Sequence, residues 1–174
     1  MDDLELYQGL YNRELARRAD ADTKINVPIT AISILFSLIF YLVTKVNFIN
    51  CELRTLFYFF MGLSILFLLI GLFYLVKSYN NLFRGNVYDS FPEAAEIKKH
   101  QDELKKHYSN EKEYQQAFDD YLLGKYIKYA TDGVRVNDRR FKELYYSRNS
   151  IILSMCTVLI MAVITGISII INKI

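Results

Sequence analysis

Residues 25–44, 56–76 and 151–171 contain no charged side chain. At 1.5 Å rise per residue, a helix of about 20 residues crosses the ~30 Å hydrocarbon layer of a bilayer. Three such runs constrain the chain before any motif is considered. The predicted fold class is an all-α membrane protein: three transmembrane helices, with a helical cytoplasmic region between the second and third. The other 112 residues carry all 40 charged side chains, a density of 36%, against roughly 25% in an ordinary globular domain. That partition excludes a soluble globular enzyme.

The predicted organisation is an amphipathic cytoplasmic helix over 1–24, a transmembrane hairpin over 25–76 (spans 25–44 and 56–76), a helical cytoplasmic region over 77–150 and a third span over 151–171. The first 24 residues contain six acids and four bases, unlike the short basic region and immediate apolar core of a signal peptide. Pro28 is expected to mark a kink or restart at the membrane interface. In the cytoplasmic region, Ser90 with Glu93 and Asn110 with Glu113 are the expected helix starts, and Thr131 to Gly133 the expected interruption. Trp is absent, so Tyr41, Phe48, Phe57, Tyr58, Tyr74, Tyr79, Tyr145 and Tyr146 near the span ends take the interfacial aromatic role.

Orientation follows from Lys and Arg. Four precede the first span, two lie between the first and second, fourteen lie in 77–150, and Lys173 follows the third. The positive-inside rule puts the N-terminus and the long segment in the cytoplasm, and the short loop and the C-terminal tail outside. Any soluble partner is then met on the cytoplasmic side.

Chemistry-bearing motifs are sparse. There is no phosphate-binding glycine loop, no nucleophile elbow and no zinc-binding helix signature. His100 and His107 read as solvent-facing helix residues, Asp119 and Asp120 as a solvated face, and Cys51 and Cys156 as too far apart for a disulfide. No catalytic residue, cofactor or metal is expected, and the chain reads as a non-enzyme.

Polarity inside the spans is more informative. Asn26, Thr30, Ser33, Ser37, Tyr41 and Thr44 recur at helical spacing on one face of the first span. Ser150, Ser154, Thr157, Met161, Thr165, Ser168 and Asn172 do so on the third. Such stripes either let helix backbones approach, with weak interhelical hydrogen bonds, or line a pore when several copies assemble, the third span being the better candidate. The second span, rich in Leu, Phe and Ile, reads as lipid-facing. No Asp, Glu, Lys, Arg or His lies within a span, which argues against a proton-coupled transporter.

Seven bases against three acids lie between Lys125 and Arg148. Arg135, Arg139 and Lys142 share a helical face that suits anionic headgroups or an anionic ligand such as a nucleotide. Duplex nucleic acid is not expected, because fourteen bases face twelve acids over 77–150.

Two short stretches carry a resemblance: Arg17, Arg18, Ala19, Asp20 and Lys24 running into the first span, and Lys128, Tyr129 and Asn137 to Arg140 leading into the last. With the hairpin and helical cytoplasmic segment, this layout resembles the small bacterial membrane effectors of antiphage signalling, the SLATT-type and Pycsar or CBASS transmembrane groups. The resemblance implies a homo-oligomer in contact with membrane lipid, held quiet by a cytoplasmic protein partner or awaiting a nucleotide signal. On activation such an effector disrupts the inner membrane as a pore or by depolarisation. A membrane anchor recruiting a partner enzyme and a small housekeeping channel are the alternatives.

Overall fold

A computed structural model describes residues 3–46, 51–79 and 87–171. Phe48, Asn172 and Lys173 lie outside the described residues. The described residues form five helices: α1 (Asp3–Lys24), α2 (Asn26–Lys45), α3 (Cys51–Tyr79), α4 (Ala94–His107) and α5 (Glu111–Ile171). Among the described residues there is no strand. Three helical segments among the described residues are long and apolar enough to cross a membrane. The chain divides into two compact units, residues 1–21 with 84–139, and residues 22–83 with 140–174.

The second unit contains the membrane-length helices. Between α1 and α2 the helix is broken at Ile25, because Pro28 has no N–H to donate to the Lys24 carbonyl. Leu35, Ile39 and Leu42 of α2, Phe57 and Leu68 of α3, and Ile151, Val158, Met161 and Ile164 of α5 form one buried apolar cluster.

Helices α3 and α5 meet along a seam of alternating three- and four-residue steps, the spacing of a coiled coil. On α3 the buried positions are Phe57, Ser64, Leu68, Gly71, Leu75 and Ser78. Successive seven-residue steps are paired in antiparallel register. Ser78 meets Arg140, Gly71 meets Ser147 and Ser64 meets Ser154, and the same register sets Phe57 opposite Met161, both essentially inaccessible. Small residues suit this seam: a Cβ on Gly71 would come within 3.3 Å of Ile151 Cγ1 and 3.4 Å of the Ser147 carbonyl oxygen. The expectation of a lipid-facing second span is corrected on one side of α3, which packs against α5. Phe57, expected at the interface, is core.

In the first unit, α4 and the N-terminal part of α5 follow the 87–93 segment. The expected start at Ser90 and Glu93 is not a capping box. Helix α4 begins at Ala94 with Glu93 as its N-cap and no side-chain cap bond, which leaves Ser90 too far upstream to reach the first amides. Asn110 does cap α5, its Oδ1 accepting from the Lys112 amide at 3.0 Å. The expected break at Thr131 to Gly133 is absent. Thr131 folds its hydroxyl back to the Ile127 carbonyl at 2.8 Å, and Gly133 lets the Glu14 side chain approach to 3.1 Å from where a Cβ would stand. One glycine costs a helix only about 1 kcal/mol, too little to end one of this length.

Candidate functional site

The two polar stripes of the spans have opposite environments. On α5, Ser150, Ser154, Thr157, Met161, Thr165 and Ser168 are all buried within the second unit. Ser154 Oγ lies 2.8 Å from Ser64 Oγ. The Thr157 hydroxyl donates to the Ser154 carbonyl at 2.7 Å, and that of Thr165 to Met161 at 2.9 Å. These groups are committed to packing inside one chain.

On α2, Asn26, Thr30, Ser33, Ser37, Tyr41 and Thr44 are all exposed, on the side opposite buried Leu35, Ile39 and Leu42. The Ser and Thr hydroxyls among them are satisfied by their own helix. Thr30 donates to the Asn26 carbonyl at 3.0 Å, Ser33 to Ile29 at 3.1 Å, Ser37 to Ser33 at 2.9 Å and Thr44 to Tyr41 at 2.9 Å. Back-bonding of this kind lets a hydroxyl face stand in lipid without an orphaned donor. It also leaves the face free to meet another helix.

Of the basic neck, Arg135 and Arg139 fall in the first unit and Lys142 in the second. All three are exposed, and Arg135 pairs with Asp132 at 3.1 Å. Arg140 is different. Its guanidinium is buried, bonded through Nε to the Ser78 carbonyl at 3.0 Å and through Nη2 to Asp22. The Ser78 carbonyl lies in the last turn of α3, where carbonyls lack helical partners, so Arg140 satisfies an orphan acceptor and sets a positive charge against the helix C-terminus. Lys77 pairs with the buried Glu143 at 2.8 Å on the same seam.

Within the first unit, Glu14 is 3% exposed and fully answered. Arg17 reaches it at 2.9 Å, while Asn137 Nδ2 donates to its carboxylate at 3.1 Å and its carbonyl at 2.9 Å. Asn137 Oδ1 in turn accepts from the Tyr88 hydroxyl at 2.6 Å. Arg17 also binds Asp138 at 2.6 Å, and that hydrogen bond, ahead of opposing desolvation, holds the Arg17 pKa above its ordinary value. Tyr11 packs against Phe91 and Tyr126 with ring centroids 5.3 and 5.8 Å apart. Burial first, then Tyr126, pushes its hydroxyl above the usual tyrosine pKa, with Arg18 opposing.

In the sequence Arg17 belongs to the N-terminal stretch and Asn137 to the neck, and no motif includes Glu14 or Tyr88. Glu14 carries no sequence signal beyond being an acid on an amphipathic helix. The α3 seam did have one, the seven-residue recurrence of Ser64, Gly71 and Ser78. His100 packs against Tyr121 with the rings tilted and their centroids 4.0 Å apart, Cys51 and Cys156 are both free thiols on the surface, and among the described residues no three His, Cys, Asp or Glu side chains cluster as metal ligands. Comparison with protein-family models, curated proteins and solved structures finds no match for this chain.

Proposed function

We propose that the chain is a membrane effector that assembles with copies of itself through the hydroxyl face of α2, opening or disrupting the bilayer of the bacterial inner membrane. The observation that carries this reading is the exposure of Thr30, Ser33, Ser37, Tyr41 and Thr44 on a membrane-length helix, while the comparable stripe of α5 is used up inside the chain. A face of small hydroxyl residues is adequate as a monomer surface and better as a helix interface, since it allows close backbone approach and adds hydrogen bonds of about 0.6 kcal/mol each. Several copies meeting there would turn hydroxyls toward a shared axis, and a lumen so lined would be weakly selective. The base count of 77–150 supports a cytoplasmic location for that segment. The resemblance to antiphage effectors supplies the setting, in which assembly follows infection and arrests the cell.

The test is inducible expression with a membrane-potential dye, beside size analysis in detergent. Wild type is expected to depolarise cells and to run as an oligomer, and Ser33→Leu with Ser37→Leu to abolish both while the monomer stays folded. An intact potential at full wild-type expression would overturn the reading. A monomer that retains a stoichiometric soluble protein and gives liposomes no conductance would point instead to a membrane anchor.

A further inference from the structure

The first unit encloses a cavity of about 240 Å³ whose lining includes Tyr11, Arg18, Tyr88, Asp89, Phe91 and Tyr129. We propose that it binds a small ligand with one planar unsaturated ring and one anionic group, the ring against the aromatic walls and the anion on Arg18.

The charges at the cavity decide the sign of the ligand. Its three acids are already answered: Glu14 by Arg17 at 2.9 Å, Asp89 by Lys128 at 3.5 Å and Asp132 by Arg135 at 3.1 Å. Arg18 is the exception, with no carboxylate in ion-pair distance among the described residues. Its guanidinium lies 4.3 Å from the Tyr88 ring centroid. That ring is itself held by the 2.6 Å bond from its hydroxyl to Asn137. A guanidinium stacked on a fixed ring keeps its outward N–H fork available for a carboxylate or phosphate in a defined plane. The residual charge is thus positive and pre-positioned.

The walls decide the shape. Phe91 is the hub of an aromatic cluster, 5.3 Å from Tyr11 and 5.4 Å from Tyr129 between ring centroids. Ring faces at such spacings favour a planar partner in offset or edge contact. The volume falls below the roughly 300–1,000 Å³ of sites for drug-sized ligands, so a ligand with one planar ring system and one anionic group, no larger than a mononucleotide, is the fitting size. Two sources share that chemistry: mononucleotides, and aromatic carboxylates.

This inference goes beyond assembly in the membrane and does not rest on it. The full chain, solubilised in detergent, would be titrated calorimetrically with AMP and UMP, and separately with benzoate and 4-hydroxybenzoate. Inorganic phosphate and adenosine serve as ring-free and charge-free controls. Saturable binding of either class is expected, weakened at least tenfold by Arg18→Gln and unchanged by Lys106→Gln, which removes the same charge from exposed α4 surface. Binding by only one class identifies the source. No binding by either class, equal binding by inorganic phosphate, or affinity indifferent to Arg18→Gln in a variant with wild-type melting would overturn the proposal.

Discussion

The hydroxyls of Ser64 and Ser154 lie 2.8 Å apart, each within reach of the other's main-chain carbonyl, at 3.4 and 3.2 Å. Both side chains are wholly inaccessible, and the pair is one of the contacts that set the antiparallel α3–α5 register. In a double-mutant cycle of Ser64→Ala and Ser154→Ala, the coupling expected is about 0.6 kcal/mol, as for interhelical hydrogen bonds in membranes generally. Ser154→Leu forces three extra carbons into the seam and is expected to cost about 1–3 kcal/mol. Reversible unfolding in detergent micelles measures both, and a coupling indistinguishable from zero would remove the pair from the account of helix pairing.

The glycines of α3 give a paired test. Gly71 faces the seam, while a Cβ on Gly62 would meet nothing within 4 Å. Gly71→Leu is expected to destabilise by about 1–3 kcal/mol through overpacking. Gly62→Ala should raise stability by up to about 1 kcal/mol through helix propensity. Equal effects at both positions in thermal melts would contradict the seam.

Arg140 binds the α3 C-terminus through the Ser78 carbonyl and the end of α1 through Asp22. Arg140→Met is expected to cost about 1–3 kcal/mol, since a buried carbonyl loses its donor while half-exposed Asp22 can turn to water. Arg140→Lys should recover only part, because a single ammonium lacks the fork that reaches two acceptors. Full recovery in a melting series would mean that charge alone matters at this position.

Asn137 links the Tyr88 hydroxyl to Glu14 with both ends of its amide. Asn137→Leu takes one donor from the buried Glu14 carboxylate, which keeps Arg17, and removes the acceptor of the Tyr88 hydroxyl; it should loosen the first unit by about 1–3 kcal/mol. Hydrogen exchange of α1 amides around Glu14 is the readout, and unchanged protection there would dismiss the linkage.

Tyr11 offers a pH test. Folding raises its pKa, so the native state favours the neutral phenol. The corresponding stability is complete below pH about 10, the unfolded value, and fades as pH rises through the raised one. Denaturation between pH 9 and 11.5 is expected to show a fall that Tyr11→Phe makes shallower. Superimposable pH profiles would deny Tyr11 that role.

By itself the sequence determined the material of this protein: charge-free runs of bilayer length dictate three membrane-length helices, because hydrocarbon tolerates neither unpaired backbone nor unpaired charge. Helical spacing likewise made the hydroxyl stripes of α2 and α5 legible as stripes. What each stripe faces was decided only by tertiary packing. A period of 3.6 assigns residues to a common face and says nothing about what stands opposite, so Ser154 and Ser37 look alike in the chain although one is sealed against Ser64 and the other exposed. The same holds in the first unit. Glu14 and Asn137 are 123 residues apart, and no local pattern pairs a carboxylate with an amide over that distance. Gly133, a helix breaker by propensity, stays helical with the Glu14 side chain packed where a Cβ would stand, a tertiary contact that propensity does not register.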